Sequence, residues 1–277
     1  VQRVINRKQS FEKVKEITAK AKEIGYTSVN YDLIYGLPKQ NKESVIDTIE
    51  KVKLLNPDRI AFYSYAHVPW IKPGQRSFTE KDLPVGLEKS ILYETGRQLL
   101  EENGYKEIGM DHFALETDSL YTSMLEGNLH RNFMGYTSSG RNQLMIGLGV
   151  SSISDSWTAF AQNVKTIESY YELLDKDRFP IFKGHLLSQE DLIIRKHILN
   201  IMCNFETDWS DVAMQFAELD LVRNSLMELE KDEFILLTPF HLKVTDKGRA
   251  FLRNICMSFD LLLLRKQPDT VIFSTTV

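Results

Sequence analysis

Three segments of this 277-residue sequence place polar side chains directly after runs of β-forming residues. The first is Tyr31–Pro38, where Asp32 stands within an otherwise apolar run. A carboxylate in such a run needs a hydrogen-bond partner, because an unpaired charge is costly to bury. A ribose hydroxyl or an ammonium group of a nucleoside-like cofactor would satisfy it, and so would the backbone or an internal arginine.

The second segment, Ser64–Trp70, holds a small residue, an imidazole and aromatic rings at the end of a β-forming run. A small residue at position 66 permits a ligand to approach the backbone closely. Packing of His67 and Trp70 within an ordinary loop explains the same residues without a ligand. The sequence leaves both interpretations open.

The third segment is divided between Gly109–Ala114 and Leu129–Thr137, where polar, aromatic and glycine residues alternate densely. This pattern suits a site for a large flat substrate that carries carboxylates, with rings for stacking and cations for the carboxylates. By charge and placement, the candidate carboxylate-binding residues are His112, His130, Arg131 and Arg141. A structural role in a loop is the alternative for each of them taken alone.

The elements that position these segments are helices and strands in alternation. Helical spacing of apolar residues predicts helices over 11–24, 45–55 and 87–100, followed by strands over 28–35, 59–65 and 105–113. Ser10 and Gly25 are suitable caps for the first helix. Such alternation is typical of a parallel sheet with crossover helices. About three strands can neither be covered on both faces nor close into a barrel, so we expect the first strands of the sheet to be missing from this sequence. The alternative is a small, complete three-layer domain.

A second, mainly helical domain is predicted beyond residue 160, which divides the chain into 1–160 and 161–277. Ser188 and Asp191 stand at capping-box spacing before an apolar helical face. Further on, a helix over 219–230, a hairpin turning at Pro239 and a long helix from Thr245 through Phe259 resemble a winged-helix module. Such modules often bind DNA, but the acidic run 228–233 favours a structural or protein-contact role.

The composition disfavours several classes of protein. A net charge of −4 argues against nucleic acid as the main partner. Cys203 and Cys256, the two cysteines, match neither a disulfide framework nor a zinc or iron–sulfur pattern. No apolar tract approaches the roughly 20 residues of a membrane span. We therefore expect a cytoplasmic protein without a membrane partner, and, since neither an initiator methionine nor a targeting sequence begins the chain, one cut from a longer protein.

Four stretches of the sequence resemble the oxygen-independent coproporphyrinogen III oxidases, a family of radical S-adenosylmethionine (SAM) enzymes. They are Tyr31–Gln40, Gly109–Ala114, His130–Tyr136 and Arg253–Met257. The resemblance implies an α/β fold: the C-terminal part of an incomplete radical SAM (β/α)6 barrel, followed by a mainly helical, winged-helix-like C-terminal domain. It also implies a 4Fe-4S cluster held by Cys-x3-Cys-x2-Cys. Since that motif is absent, we expect its ligands in a missing N-terminal half, no metal site in this chain, and no turnover by the chain alone.

The same resemblance implies that two SAM molecules bind. Arg7, Asp32 and Ala66 match positions that contact the second molecule, and Ile153 matches one that contacts the first. The implied reaction converts two propionates of coproporphyrinogen III to the vinyl groups of protoporphyrinogen IX in haem biosynthesis, with an unidentified electron acceptor and a monomeric full-length protein. Met134 departs from the family, since many relatives carry glutamine there.

Two hypotheses from other classes of protein are alternatives to this one; the His130–Phe133 context disfavours the first, and the acidic charge balance disfavours the second. One is a haem-binding chaperone of the same superfamily, which would deliver haem instead of catalysing a reaction. The other is a DNA-binding winged-helix regulator, whose binding to DNA would depend strongly on salt.

Overall fold

The computed structural model describes residues 1–70, 72–138 and 144–266. The described residues form two compact units, 1–122 and 123–266, and the division falls inside the helix Ser119–Leu125. Residue 160, the predicted boundary, lies inside the strand Ala159–Asn163 and so does not coincide with a linker. The assignment of 1–160 and 161–277 to two domains stays a prediction, because compactness alone does not delimit a functional domain.

The first unit contains a four-stranded sheet with the strand order β1-β2-β4-β3. Its elements in chain order are α1 (Phe11–Ile24), β1 (Asn30–Tyr35), α2 (Lys42–Leu55), β2 (Arg59–Ser64), α3 (Leu87–Glu102), β3 (Tyr105–Gly109), β4 (His112–Leu115) and α4 (Ser119–Leu125), which crosses into the second unit. Strands β1 and β2 are parallel, with Asp32 opposite Ala61 and Tyr35 opposite Ser64. The predicted helix–strand alternation is thus confirmed for the first two strands.

The caps of α1 are the predicted ones. The Ser10 Oγ accepts a hydrogen bond from the Lys13 backbone N–H at 3.2 Å, which satisfies one of the free donors of the first turn. Gly25 ends the helix with φ +106°, a left-handed conformation that favours glycine. Both ends of α1 are therefore encoded locally.

The third predicted strand, over 105–113, is wrong as a single element. It is a hairpin in which β3 and β4 pair antiparallel, and β4 also pairs antiparallel with β2. The chain turns at Met110, whose φ is +47°, a conformation that an ordinary strand residue does not adopt. Since β3 and β2 are both antiparallel to β4, they run in the same direction, with β4 inserted between them.

The two faces of this sheet differ sharply. Tyr35, Ile60, Phe62 and Phe113 lie on the face covered by α2 and α3 and form a buried core with apolar residues of those helices. Tyr35 packs on Phe62 with ring centroids 4.9 Å apart. Because side chains alternate along a strand, the neighbouring residues of β1, β2 and β4 lie on the opposite face. That second face, here called the open face, carries Asn30, Asp32, Ile34, Ala61, Tyr63 and His112.

The second unit contains three small sheets, β5-β6, β7-β8-β9 and β10-β12-β11, among its described residues. Its remaining elements are β5 (His130–Asn132), β6 (Gly135–Thr137), β7 (Ile153–Asp155), β8 (Ala159–Asn163), α5 (Ile167–Leu174), β9 (Ile181–Leu186), α6 (Gln189–Asn204), β10 (Glu206–Asp208), α7 (Leu219–Lys231), β11 (Ile235–Leu237), β12 (His241–Val244), α8 (Leu252–Met257) and α9 (Leu261–Lys266). The predicted capping box of α6 is present, with Ser188 and Asp191 bonded reciprocally. Within the described ranges, none of the helices combines the length and the apolar character that crossing a bilayer demands.

The long helix predicted from Thr245 through Phe259 is wrong. The structure has a 3-10 segment, Lys247–Phe251, followed by the short α8. The cause lies at Gly248, where a Cβ atom would stand 1.9 Å from the Phe234 carbonyl oxygen. This close approach packs the 3-10 segment against the backbone of Phe234, just before β11, where the tighter 3-10 turn replaces the predicted α-helix. The winged-helix assignment itself stays a prediction.

His197 on α6 is fully buried and uncharged. Its Nε2 lies 2.8 Å from the Met214 carbonyl oxygen, which can only accept, so Nε2 carries the proton; Nδ1 then accepts from the Thr207 hydroxyl at 2.8 Å. Burial lowers the pKa of this imidazole, and the Met214 carbonyl opposes the shift. His197 is therefore a structural residue that forms buried hydrogen bonds in the core of the second unit.

The pH dependence of folding follows from His197. Its folded pKa lies below the unfolded value of about 6.5, so the unfolded chain binds the proton first and this part of the stability is lost as pH falls below about 6.5. We expect urea midpoints to fall between pH 7.5 and pH 5.5, with a smaller fall in His197→Gln. The same substitution at the exposed His185 is the control; an equal slope in all three proteins would contradict the assignment.

Candidate functional site

The open face of the first unit brings two predicted site residues into one row. Asp32 stands opposite Ala61, and Ala61 stands opposite His112, so the three residues lie side by side on neighbouring strands. With strands about 4.8 Å apart, the carboxylate-bearing and imidazole-bearing positions are separated by roughly 10 Å. Ala61, which stands between them, is buried. His112 also has Nε2 at 3.5 Å from the Tyr63 hydroxyl.

Asp32 is exposed, which corrects the premise that it is buried within its strand. The Asn30 amide donates to its Oδ1 at 2.8 Å, and further acceptor capacity remains on the carboxylate. Arg7 lines the same cavity as Asp32, a space of about 570 Å³ along β1, α1 and α2. A cavity of this size is within the range that small-molecule ligands occupy.

Ala66 lies just beyond β2, at the carboxyl end of a parallel strand, and is exposed. Its carbonyl oxygen accepts from the Gln75 amide at 3.1 Å. Ala66 does not line the cavity shared by Arg7 and Asp32. The three predicted contacts with one SAM molecule are thus all in the first unit, two in one cavity and one at the end of the neighbouring strand.

His130 lines a cavity of about 930 Å³ within the second unit, together with Trp157 and residues of α6. Burial lowers its pKa, the nearby Arg195 lowers it further, and Asp155 opposes both. A histidine with a pKa below its usual 6.5 is mostly neutral at pH 7. His130 would therefore serve a carboxylate as a neutral hydrogen-bond donor and not as a cation.

Arg131 lies on the other face of the β5-β6 hairpin from His130, because successive strand residues alternate. Its guanidinium stands 4.7 Å from the centre of the Tyr136 ring. Burial raises the pKa of the Cys203 thiol to about 12, and Arg131 beside it opposes the rise. His130 and Arg131 therefore begin on opposite faces of the hairpin, and Arg141 lies outside the described residues.

Ile153 begins β7 in the second unit and pairs with Gln162 of β8. Gly147 approaches the Ile153 backbone so closely that a Cβ atom would stand 2.8 Å from the Ile153 carbonyl oxygen. Asp155, two residues on, is held by the Arg195 guanidinium through bonds of 3.0 and 2.6 Å. The position of Ile153 is therefore fixed from both sides.

In the described part of the chain, no group of three or more histidine, cysteine, aspartate or glutamate residues is arranged to hold a metal ion. Cys203 and Cys256 are both buried, and burial raises the pKa of each thiol to about 12. Thiols in this state are poor metal ligands, since the thiolate is the ligating form.

One set of lining residues was not predicted from the sequence. It lies on one face of α6 and lines the cavity beside His130; its members are Lys196, Leu199, Asn200, Cys203 and Asn204. The Lys196 ammonium group places a positive charge beside this cavity, whereas His130 is mostly neutral. The spacing of three and four residues was the available signal, because such residues share a helix face; it is also the spacing of an ordinary solvated face.

The chain was compared with known proteins and their structures. No model of a known protein family matches it. It is 42% identical over 274 residues to the oxygen-independent coproporphyrinogen III oxidase of Escherichia coli (strain K12), 40% over 270 residues to that of Helicobacter pylori (strain 26695), and 39% over 285 residues to that of Synechocystis sp.. These matches cover 95–97% of the chain.

The solved structure of coproporphyrinogen III oxidase from Escherichia coli, described as a radical SAM enzyme, superimposes with a TM-score of 0.87 at 40% identity, over 95% of this chain and 61% of that one. The fold is thus that of the corresponding part of a radical SAM enzyme. More narrowly, the chain is homologous to a segment of the oxygen-independent coproporphyrinogen III oxidases. It spans about 59% of the length of the Escherichia coli and Synechocystis relatives.

Proposed function

We propose that the natural protein containing this chain catalyses the oxygen-independent oxidative decarboxylation of two propionates of coproporphyrinogen III, giving protoporphyrinogen IX. The observation that carries the proposal is 42% identity over 96% of the chain to an enzyme of that name, with the fold preserved at a TM-score of 0.87. Each propionate loses one hydrogen atom, one carbon dioxide and one electron. An electron acceptor is therefore a required partner.

S-adenosylmethionine is the cofactor we assign to the first unit, at Arg7, Asp32 and Ala66. The Asp32 carboxylate retains free acceptor capacity, and it shares a cavity of suitable volume with Arg7. When bound, the cofactor supplies the radical chemistry, while this chain orients the propionate and keeps quenching groups away. A second molecule is assigned to Ile153, whose backbone is held by Gly147 and by its pairing with β8.

The residues of this chain do not fit a 4Fe-4S cluster. Two buried cysteines of the second unit cannot supply its usual ligand set of cysteine thiolates. No step is therefore assigned to a cluster held by this chain.

The substrate carboxylates are assigned to His112 and His130. His112 lies on the open face with Asp32, and His130 lines the larger cavity of the second unit with Lys196. Arg131 and Arg141 stay predictions; the buried guanidinium of Arg131 would have to leave the Tyr136 ring to reach a carboxylate. A monomeric protein and the absence of a nucleic-acid or membrane partner remain part of the proposal.

Complementation tests this function in a cell. The natural protein should restore anaerobic growth, without added haem, to a bacterial strain that lacks its own oxygen-independent coproporphyrinogen III oxidase. Asp32→Ala should lower protoporphyrin yield about 10- to 100-fold, since a hydrogen bond to a charged group contributes about 1.5–3 kcal/mol. Asp220→Ala, which changes a side chain that is 94% exposed, is the matched control. Failure of the unsubstituted protein to restore growth, despite normal expression, would contradict the proposal.

A further inference from the structure

The loop that follows β2 is held rigidly by the segment after it. The Gln75 amide donates to the Ala66 carbonyl oxygen at 3.1 Å, and its Oε1 accepts from the Val68 backbone N–H at 2.6 Å. The Arg76 Nε donates to the Pro69 carbonyl oxygen at 2.9 Å. Three backbone groups of the loop are thus satisfied by two side chains, which orders the backbone around Tyr65 and His67.

Within this fixed loop, two polar side-chain atoms are buried and have no hydrogen-bond partner among the described residues: the Tyr65 hydroxyl oxygen and His67 Nδ1. Both rings pack with Phe78, at centroid distances of 6.2 Å for Tyr65 and 5.4 Å for His67. Burial raises the pKa of Tyr65, so its hydroxyl stays protonated. A buried polar atom without a partner is costly, and two such atoms two residues apart indicate a missing partner.

The position of the pair indicates which ligand supplies that partner. The Tyr65 backbone N–H donates to the Tyr35 carbonyl oxygen, which extends the pairing of β2 with β1 by one residue. Tyr65 therefore follows Tyr63 on the side of the open face, and His67 lies two residues further on, at the carboxyl end of a parallel strand, where ligands of α/β folds bind. A phenol and an imidazole together offer both a donor and an acceptor, as the hydroxyls of a ribose require.

We propose that Tyr65 and His67 bind the nucleoside part of S-adenosylmethionine, on either side of Ala66, and that Gln75 and Arg76 position them. This inference rests on the proposed function, from which it takes the identity of the ligand. It adds two side-chain contacts and two positioning residues to Arg7, Asp32 and Ala66.

The test is calorimetric titration of the natural protein with S-adenosylhomocysteine, which needs no turnover. Tyr65→Phe removes only the hydroxyl and should weaken binding about tenfold, the effect of losing one hydrogen bond. The same variant without ligand should melt at the same temperature as the parent or higher, because it loses an atom that has no protein partner. His67→Phe keeps a ring against Phe78 and should also weaken binding.

Tyr105→Phe is the matched control. The Tyr105 hydroxyl donates to the Pro57 carbonyl oxygen at 2.6 Å, so its loss should lower the melting temperature and leave the affinity unchanged. Unchanged affinity in both Tyr65→Phe and His67→Phe would overturn the inference while leaving the proposed function intact, as would a lowered melting temperature of ligand-free Tyr65→Phe. No binding by the parent protein would overturn the inference and count against the proposed function as well.

Discussion

Replacing Arg195 with methionine is expected to lower the free energy of unfolding by roughly 3–5 kcal/mol, because it leaves the Asp155 carboxylate buried without its partner. The pair is bidentate, with bonds of 3.0 and 2.6 Å, and both side chains are largely buried, at 13% and 8% exposure. The guanidinium also donates to the Trp157 carbonyl oxygen at 2.9 Å and stacks 4.5 Å from the Trp157 ring.

The measurement is urea unfolding of Arg195→Met beside Lys51→Met. Lys51 forms an exposed ion pair with Asp47 on α2, and such pairs contribute at most about 1 kcal/mol. The double variant Asp155→Leu with Arg195→Met should be less destabilised than Arg195→Met alone, since it removes the stranded charge. A loss of less than about 1 kcal/mol in the single variant would show that Asp155 does not depend on Arg195.

Gly248→Ala is expected to prevent stable folding of the second unit, with a loss of at least about 3 kcal/mol. The new Cβ would stand 1.9 Å from the Phe234 carbonyl oxygen and 2.8 Å from its carbon, and both atoms are backbone. That carbonyl already accepts from the Thr245 N–H at 3.0 Å and hydroxyl at 3.1 Å, so it has little freedom to withdraw. A shift would also disturb the stacked rings of Phe234 and Phe251, whose centroids are 4.2 Å apart.

Gly74→Ala is the control for this substitution. A Cβ at Gly74 would meet no heavy atom within 4 Å, so its stability should change by less than about 0.5 kcal/mol. The free energies of unfolding of the two variants are measured by urea titration followed by circular dichroism. If Gly248→Ala unfolds like the unsubstituted protein, the 3-10 segment at Lys247–Phe251 is not packed against Phe234 as described.

The sequence predicted best what depends on neighbouring residues. The Ser10 and Gly25 caps and the Ser188–Asp191 capping box are local interactions, and the structure contains all of them. It predicted least well what depends on contacts between distant segments. Residue types place the Gly109–Met110 turn within one predicted strand, over 105–113. They give no indication that Gly248 approaches the Phe234 backbone.

The candidate site shows the same division. Residue type and position after strands indicate Asp32 and His112, and the pairing of both strands with β2 puts them in one row. The charge of Arg131 indicates a carboxylate-binding role, but alternation along β5 places its side chain on the other face from His130, against the Tyr136 ring. Residue type alone does not indicate Lys196, because a lysine on a helix is more often in solvent than beside a cavity.

Decarboxylation of coproporphyrinogen III tests the central claim most directly. The natural protein, purified and reconstituted with iron and sulfide without oxygen, is incubated with S-adenosylmethionine and substrate, and the products are followed by mass spectrometry, with Asp32→Ala alongside. We predict the loss of two molecules of carbon dioxide per substrate, dependent on S-adenosylmethionine and strongly reduced in the variant. Stoichiometric haem binding without any decarboxylation would contradict the account and favour a haem chaperone.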